Sequence, residues 1–229
     1  MREIVFDTET TGLSFVGGDR LVEIGCIELV NRCETGRTFH RYICPERSMP
    51  AEAQAVHGLS DAFLKDKPRF AEIVAELIDF LGDCPLVAHN AGFDFSFLNG
   101  ELGRVGHPLV CTTRMVDTVA MARTRHPGAK HSLDALCTRF GIDRSHRVMH
   151  GALLDAQLLA QVYVELTGGR QIGLGLIDVI PAGDVTLVTA MPARVPRPPR
   201  VFAPSADEQA RHAAFIARMP EHLWGALVS

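Results

Sequence analysis

The chain has 229 residues, of which 47% are hydrophobic and 22% are charged, and its formal net charge is -4. This length suits one well-packed domain plus a remainder, or two small domains. A net negative charge argues against a protein that binds nucleic acid through overall basicity, because phosphate contacts need clustered Lys and Arg. It does not exclude a nuclease in which bound metal ions supply the positive charge.

The negative charge comes from the front of the chain. Residues 1–170 carry 18 basic and 22 acidic side chains, and 18 minus 22 gives -4, whereas residues 171–229 carry five of each. The six cysteines form no C-x-x-C pair, and the N-terminus has no signal-peptide pattern. No apolar run approaches the roughly 18 residues of a membrane span. We therefore predict buried free thiols and a cytoplasmic protein.

The first third of the chain is rich in strand patterns. A short apolar run at 4–6 leads into polar Thr and Gly residues, and the stretches 21–30 and 37–44 are rich in β-branched and aromatic residues. Polar residues 31–36 separate the second and third stretches. This order predicts a hairpin or a meander.

Helical periodicity begins after the strands. Apolar residues recur at three- and four-residue spacing and stop at Gly82, which predicts a helix over 70–81. A buried strand is predicted at 85–89. Further helices are predicted at about 93–103, 117–124, 132–140 and 151–166. Strands followed by mixed strands and helices predict an α/β or α+β sheet with helical cover.

The composition changes after Gly169. Residues 191–204 contain five of the 13 prolines, which favour an extended, semi-rigid linker. Ser205 to Glu208 matches a capping box at the start of a helix, which we expect to end at Pro220. The predicted organisation is a domain over 1–169, a linker over 170–204 and a C-terminal segment over 205–229.

Asp7 and Glu9 follow the first strand pattern. Residues two apart on a strand face the same side, with Cα atoms about 6.7 Å apart, so the two carboxylates lie together. Paired carboxylates repel each other unless a cation lies between them, and their oxygens suit Mg²⁺ or Mn²⁺. The alternative is an ordinary solvated strand end, which the D-x-E pattern alone favours.

Asp94 follows the predicted strand at 85–89, in the first turn of the next helix. One interpretation is that this acid has only a structural role, a favourable interaction with the helix dipole. However, the aromatic neighbours Phe93, Phe95 and Phe97 make an unpaired carboxylate costly. The sequence therefore favours a paired or metal-bound Asp94.

His150 and Asp155 are five residues apart. On a regular helix their side chains point about 140° apart, so we expect His150 just before the helix and Asp155 on its second turn. A single His at such a position is usually a surface residue. Taken with the other three carboxylates, however, the set suits phosphodiester hydrolysis with two cations about 4 Å apart and a His that takes a proton from water.

Three motifs carry a family resemblance. DTETTGL at 7–13, HNAGFD at 89–94 and HGALLDA at 150–156 resemble the exonuclease motifs of the DEDDh family of 3′–5′ exonucleases, and AVHGLS at 55–60 narrows the match. The resemblance covers residues 2–169. It implies a ribonuclease-H-like fold with a central five-stranded mixed sheet and helices on both faces.

The resemblance also implies site residues. The metal ligands for two Mg²⁺ or Mn²⁺ ions are Asp7, Glu9, Asp94 and Asp155, with Asp7 bridging both ions, and His150 is the general base.

The substrate-binding residues follow from the same resemblance. Thr10, Gly12 and Leu13 would cradle the 3′ end beside Asp7, Glu9 and Asp155, with Leu13 as an apolar wedge. Glu52 and His57 would contact the terminal nucleotide. The alternative for these last two is a helix face and its exposed end.

The tail carries two weaker resemblances. Residues 171–176 resemble the peptide by which replication proteins bind the sliding clamp, anchored by Gln171, Leu174 and Leu176, but they depart from the usual pattern at Gly173. The alternative is a Gly-rich exit from the last helix.

Residues 205–227 resemble the segment that anchors proofreading subunits to a replicative polymerase, with Phe215 and Trp224 as contacts. The alternative is that this segment packs back on the catalytic domain. The leading hypothesis is a proofreading 3′–5′ DNA exonuclease tethered to a replicative polymerase. The competing ones are a 3′–5′ exoribonuclease of the same family and a structural brace between polymerase and clamp.

Overall fold

The structure, a computed structural model, describes residues 1–147, 149–169 and 203–219. The chain divides into two compact units, Met1–Leu176 and Ile177–Ser229. In the described residues, no helix is both long and apolar enough to cross a membrane. All six cysteines are free thiols, as predicted, but only Cys26 and Cys137 are buried, and Cys33 and Cys111 are exposed.

The first unit is built on one five-stranded mixed sheet. Its strands are β1 Arg2–Thr10, β2 Leu21–Val30, β3 Cys33–Tyr42, β4 Leu86–Ala88 and β5 Met115–Asp117. The order across the sheet is β3-β2-β1-β4-β5. The β3–β2 and β2–β1 pairs are antiparallel, and the β1–β4 and β4–β5 pairs are parallel. The predicted five-stranded mixed sheet is therefore confirmed, and β1 lies at its centre.

Seven α-helices accompany the strands in the described part of this unit. They are α1 Ala51–His57, α2 Asp61–Leu64, α3 Phe70–Leu81, α4 Gly92–Arg104, α5 Thr118–Arg125, α6 Leu133–Phe140 and α7 Ala152–Leu166. The predicted helix over 70–81 and the predicted strand over 21–30 have these bounds in the structure. Both segments have strong apolar periodicity or a continuous apolar run, which is why their limits could be read from the sequence.

Helices cover both faces of the sheet. Ile4 and Phe6 of β1 belong to a buried cluster with α3 and α4, represented by Leu77 and Phe97. Val5, between them in the sequence, belongs to a second cluster with residues of α7. Side chains alternate between the faces of a strand, so the apolar stretch 4–6 of β1 contributes to both cores.

The start of α7 lies directly on β2. A Cβ atom on Gly25 would lie only 2.3 Å from the backbone nitrogen of Leu153, so no larger residue fits without moving the helix. Gly25 is also the register partner of Asp7 on β1. The glycine therefore lets the first turn of α7 approach the strand that carries Asp7.

The hairpin between β2 and β3 is tighter than predicted. The predicted connection over 31–36 is wrong, because only Asn31 and Arg32 separate the strands, and both have positive φ (52° and 66°). Consecutive positive φ angles suit a two-residue hairpin turn. The polar residues from Cys33 onwards belong to an edge strand whose first six residues are exposed, so hydrophobicity does not mark its start.

Two other elements add detail to the sequence prediction. The polar end of β1, which carries Asp7 and Glu9, pairs with β2 as far as Thr10. β5 was not predicted. It is only three residues long and partly exposed, which is too short to show a period.

The second unit is described from 203 to 219 and contains one helix, α8 Ala206–Ile216. The predicted capping box is present: the Ser205 hydroxyl accepts from the Glu208 backbone N–H, and the Glu208 carboxylate accepts from the Ser205 N–H at 2.8 Å. The helix ends at Ile216, so the expected end at Pro220 is wrong. The cap stabilises the helix start, whereas nothing in the sequence before Pro220 marks its end.

Candidate active site

The predicted acidic residues and His150 line one cavity of about 570 Å³. Asp7 and Glu9 come from β1, Asp94 from the first turn of α4, and Asp155 from α7. The cavity opens at the end of the central strand, where these elements meet. The structure thus brings together the four carboxylates and the histidine that are far apart in the sequence.

Asp94 is only 2% exposed, although it is a carboxylate. The Thr8 hydroxyl donates a hydrogen bond of 2.7 Å to its Oδ1. Burial nevertheless raises the pKa of Asp94 to about 7, and the hydrogen bond from Thr8 only partly offsets this effect. A buried carboxylate with a raised pKa favours a proton or a bound cation.

The two carboxylates on β1 behave in the same way. Burial raises the pKa of Asp7 well above its usual range, and the negative charges of Asp94, Glu9 and Asp155 raise it further. Burial also raises the pKa of Glu9 to about 8, followed by repulsion from Asp155 and from Glu23. The site concentrates negative charge that water does not screen.

Asp155 and His150 lie close together, and His150 precedes the helix as predicted. α7 begins at Ala152, so Asp155 lies in its first turn and not in the expected second turn, and its N–H donates to the Gly151 carbonyl at 2.9 Å. His150 lies before the helix, with its side chain 48% exposed. Its Nδ1 is 3.1 Å from Oδ2 of Asp155, so the carboxylate is close enough to orient the ring.

The donor set fits a divalent cation. Glu9, His150 and Asp155 each offer a ligand atom, and these atoms lie within 4.8 Å of one another. Carboxylate oxygens are the ligands that Mg²⁺ and Mn²⁺ prefer. The raised pKa values of Asp94 and Glu9 indicate that a positive charge in the cavity would stabilise their ionised forms.

Arg147 is a residue of the cavity that the sequence analysis did not identify. Its Nε and Nη2 lie 2.5 and 2.7 Å from the two carboxylate oxygens of Asp155. Nη2 is also 2.7 Å from Nδ1 of His150. The available signal was an arginine three residues before His150, but no spacing rule links such a position to the carboxylates.

A second cavity of about 620 Å³ adjoins the carboxylates at Glu9. It is lined by the predicted substrate-binding residues Thr10, Gly12, Leu13, Glu52 and His57, together with apolar side chains. Leu13 is 88% exposed at its edge, where it can contact a bound molecule.

His57 is not at an exposed helix end. The residue is buried, and its Nδ1 accepts from the Leu59 N–H at 3.0 Å, so Nε2 carries the proton of the neutral ring. Within the described part of the chain, Nε2 has no hydrogen-bond partner. Burial lowers the pKa of His57, which favours this neutral form. Glu52, by contrast, lies exposed on α1, where it borders the second cavity.

The predicted partner-binding residues are mostly outside the described residues. This applies to Gln171, Leu174, Leu176 and Trp224. Phe215 is described: it lies on α8 and is 62% exposed.

Comparison with known proteins identifies the family. The exonuclease family model matches residues 4–163. The chain is 46% identical over 222 residues to the DNA polymerase III subunit epsilon of Rickettsia conorii, covering 96% of each chain. It is 47% identical over 176 residues to the protein of the same name from Escherichia coli K12, covering 74% of this chain and 72% of that protein.

A solved structure of exonuclease X in complex with 5′ overhanging duplex DNA shares the fold. It aligns with a TM-score of 0.58 at 24% identity, over 72% of this chain and 90% of that chain. The family model, the near full-length match and the shared fold agree with each other. The chain therefore belongs to the exonuclease family and, within it, to the DNA polymerase III epsilon subunits.

Proposed function

We propose that this protein is the proofreading 3′–5′ exodeoxyribonuclease subunit of a DNA polymerase III, which removes mismatched 3′-terminal nucleotides as 5′-monophosphates. The observation that carries this proposal is the convergence of Asp7, Glu9, Asp94, Asp155 and His150 on one cavity. The near full-length relatives named DNA polymerase III subunit epsilon support the assignment to replication.

The four carboxylates of Asp7, Glu9, Asp94 and Asp155 would hold two divalent cations, Mg²⁺ or Mn²⁺. When bound, such cations activate water and stabilise the negative charge that develops on the attacking and leaving oxygens. The carboxylates themselves are held by rigid elements: Asp7 and Glu9 by the central strand, and Asp94 by the Thr8 hydroxyl. This rigidity keeps the ligands in place without substrate.

His150 would be the general base. When its Nδ1 donates to Asp155 in place of accepting from Nη2 of Arg147, the lone pair of Nε2 is free to take the proton of the attacking water. Its exposed position lets it reach a water on the solvent side of the phosphate.

The second cavity would bind the terminal nucleoside. Thr10 and Gly12 border it, Leu13 would press against a base, and Glu52 and His57 would contact the sugar or the base. The unpaired Nε2–H of His57 supports this role, because a buried donor without a partner gains about 1–3 kcal/mol when a ligand supplies an acceptor.

The tail would tether the exonuclease domain over 1–169 to its partners. In this proposal, residues 205–229 bind the polymerase catalytic subunit through Phe215 and Trp224. The linker over 170–204 carries a clamp-binding peptide at 171–176, anchored by Gln171, Leu174 and Leu176. The exposed Phe215 on α8 supports the first of these contacts.

The test is excision from a primer with a mismatched 3′ end in the presence of Mg²⁺. We expect Asp7→Ala to lose more than about 100-fold of the activity, because the loss of a partner outside the ligand shell already costs about 10–100-fold. Asp79→Ala, which removes an exposed carboxylate on α3, is the matched control. Activity of Asp7→Ala equal to that of the control would refute the proposal.

Two further arms separate the competing hypotheses. Matched RNA and DNA oligomers distinguish the proofreading enzyme from an exoribonuclease, since preferential cleavage of RNA contradicts the DNA assignment. Deletion of residues 191–229 should abolish co-purification with the polymerase catalytic subunit while leaving mismatch excision intact. Retained co-purification would contradict the anchoring role.

A further inference from the structure

Arg147 places a positive charge inside the carboxylate cluster. Its guanidinium binds both oxygens of Asp155 in a two-pronged contact, at 2.5 and 2.7 Å. The side chain is only 11% exposed, which is unusual for an arginine outside a helix or strand. It is therefore a fixed part of the site and not a solvated surface charge.

A second carboxylate holds Arg147 from the other side. Its Nη1 lies 2.9 Å from Oδ1 of Asp134, in the first turn of α6. Asp134 also forms an ion pair with Arg144, whose Nη1 lies 2.9 Å from Oδ1. Arg147 thus joins α6 to α7 and fixes the segment that carries His150, whose Nδ1 is 2.7 Å from Nη2.

The contact with Asp155 competes with a metal ion at that carboxylate. Coordination of a divalent cation needs at least one Asp155 oxygen, and the guanidinium already takes one lone pair of each. A guanidinium and a divalent cation also repel each other at such short range. The two cations therefore compete for Asp155.

We propose that Arg147 is the resident cation of the site: it neutralises Asp155 and holds His150 until a divalent cation displaces it. This inference rests on the proposed function, which makes Asp155 a metal ligand. It has two consequences. The observed metal affinity is reduced by the free energy needed to break the arginine contact, and metal binding moves the segment that carries the general base.

The direct test is Mn²⁺ binding to the full chain, measured by electron paramagnetic resonance without DNA. We expect Arg147→Gln to bind Mn²⁺ about 10-fold more tightly or better, the order expected when a charge-assisted hydrogen-bonded competitor is removed. Arg144→Gln is the matched control, because this arginine pairs with Asp134 and lies in the same segment. The control should keep the affinity of the unsubstituted protein.

Thermal unfolding supplies a second readout that does not depend on activity. In EDTA, Arg147→Gln should melt at a lower temperature than the unsubstituted protein, because the buried Asp155 carboxylate loses its guanidinium partner and keeps only the contact with His150. Saturating Mn²⁺ should remove most of this difference. Arg147→Lys, which keeps the charge but loses the fork, should show an intermediate Mn²⁺ affinity and serves where the Gln variant does not fold.

The possible failures are distinguishable. If Arg147→Gln binds Mn²⁺ as the unsubstituted protein does, or more weakly, Arg147 supports the ligand set instead of competing with the metal, and this inference is wrong while the proposed function stands. If the unsubstituted protein binds no Mn²⁺ and Asp7→Ala excises mismatches normally, the proposed function fails and this inference fails with it.

Discussion

Two regions of very different character meet at the candidate active site. Asp7 and Glu9 lie on β1, which pairs with β2 on one side and β4 on the other and is buried on both faces. His150 lies in the connection between α6 and α7, and half of its side chain is exposed. In the proposed function this difference is a division of labour: the central strand fixes the metal ligands, and the connection supplies the proton-transfer group.

This comparison is tested most strongly by removing the histidine alone. We expect His150→Ala to lower kcat by about 100-fold or more, as for the loss of a general base, with little change in Mn²⁺ affinity. His146→Ala, in the same connection and also exposed, is the control. Because Nδ1 or Nε2 of His150 is close enough to Glu9 and Asp155 to bind a cation, an equal loss of Mn²⁺ affinity would instead make it a metal ligand.

The packing of α7 on the central sheet can be disturbed without changing a carboxylate. Gly25→Ala places a methyl group against the backbone of Leu153, so α7 has to shift away from β2. We expect a loss of about 1–3 kcal/mol in the free energy of unfolding, measured with urea. Mn²⁺ affinity should fall as well, since Asp155 moves with the helix.

Gly103→Ala is the control for this substitution. A methyl group there meets only the end of Leu109, at an ordinary contact distance of 3.7 Å, and alanine favours the helix. If Gly25→Ala lost stability and kept its Mn²⁺ affinity, the position of α7 would not govern the site.

The smallest expected effect is a pH dependence of the metal-free protein. The pKa of Glu9 is about 8 in the folded chain, against 4.5 as its ordinary value. The folded state therefore binds more protons than the unfolded state between these values, and stability falls as the pH rises through this window. Glu9→Gln removes this contribution.

Urea unfolding in EDTA measures the effect. The stability gained by Glu9→Gln over the unsubstituted protein should grow from pH 4.5 towards pH 8, and saturating Mg²⁺ should reverse its sign. A difference that is constant with pH would show that Glu9 is not strained by its buried neighbours.

Much of the fold and the carboxylate set could be predicted because their signals are local. The helix over 70–81 shows a full apolar period, and the strand over 21–30 is a continuous apolar run. Asp7, Glu9 and Asp94 each follow a strand pattern, so their meeting at one sheet edge could be expected once the family resemblance was seen.

The remaining features depend on contacts that no local pattern records. Arg147 lies in the site because Asp134 and Asp155, 21 residues apart, hold it from two helices. The burial of His57 follows from packing at the end of α1, and β5 is too short to show a period. The tail predictions over 170–202 and 220–229 stay predictions, because they lie outside the described residues.

β1 and α7, which both contribute to the site, lie far apart in the chain, so the site can form only late in synthesis. Asp7 is synthesised 148 residues before Asp155, since 155 minus 7 is 148, and the two carboxylates meet only after α7 has packed on β2. At about 5–20 residues per second, synthesis of the intervening chain takes roughly 7–30 s. A nascent or truncated chain that ends before His150 has three of the four carboxylates and lacks both His150 and Asp155, so the proposed site cannot be completed until the catalytic domain is nearly finished.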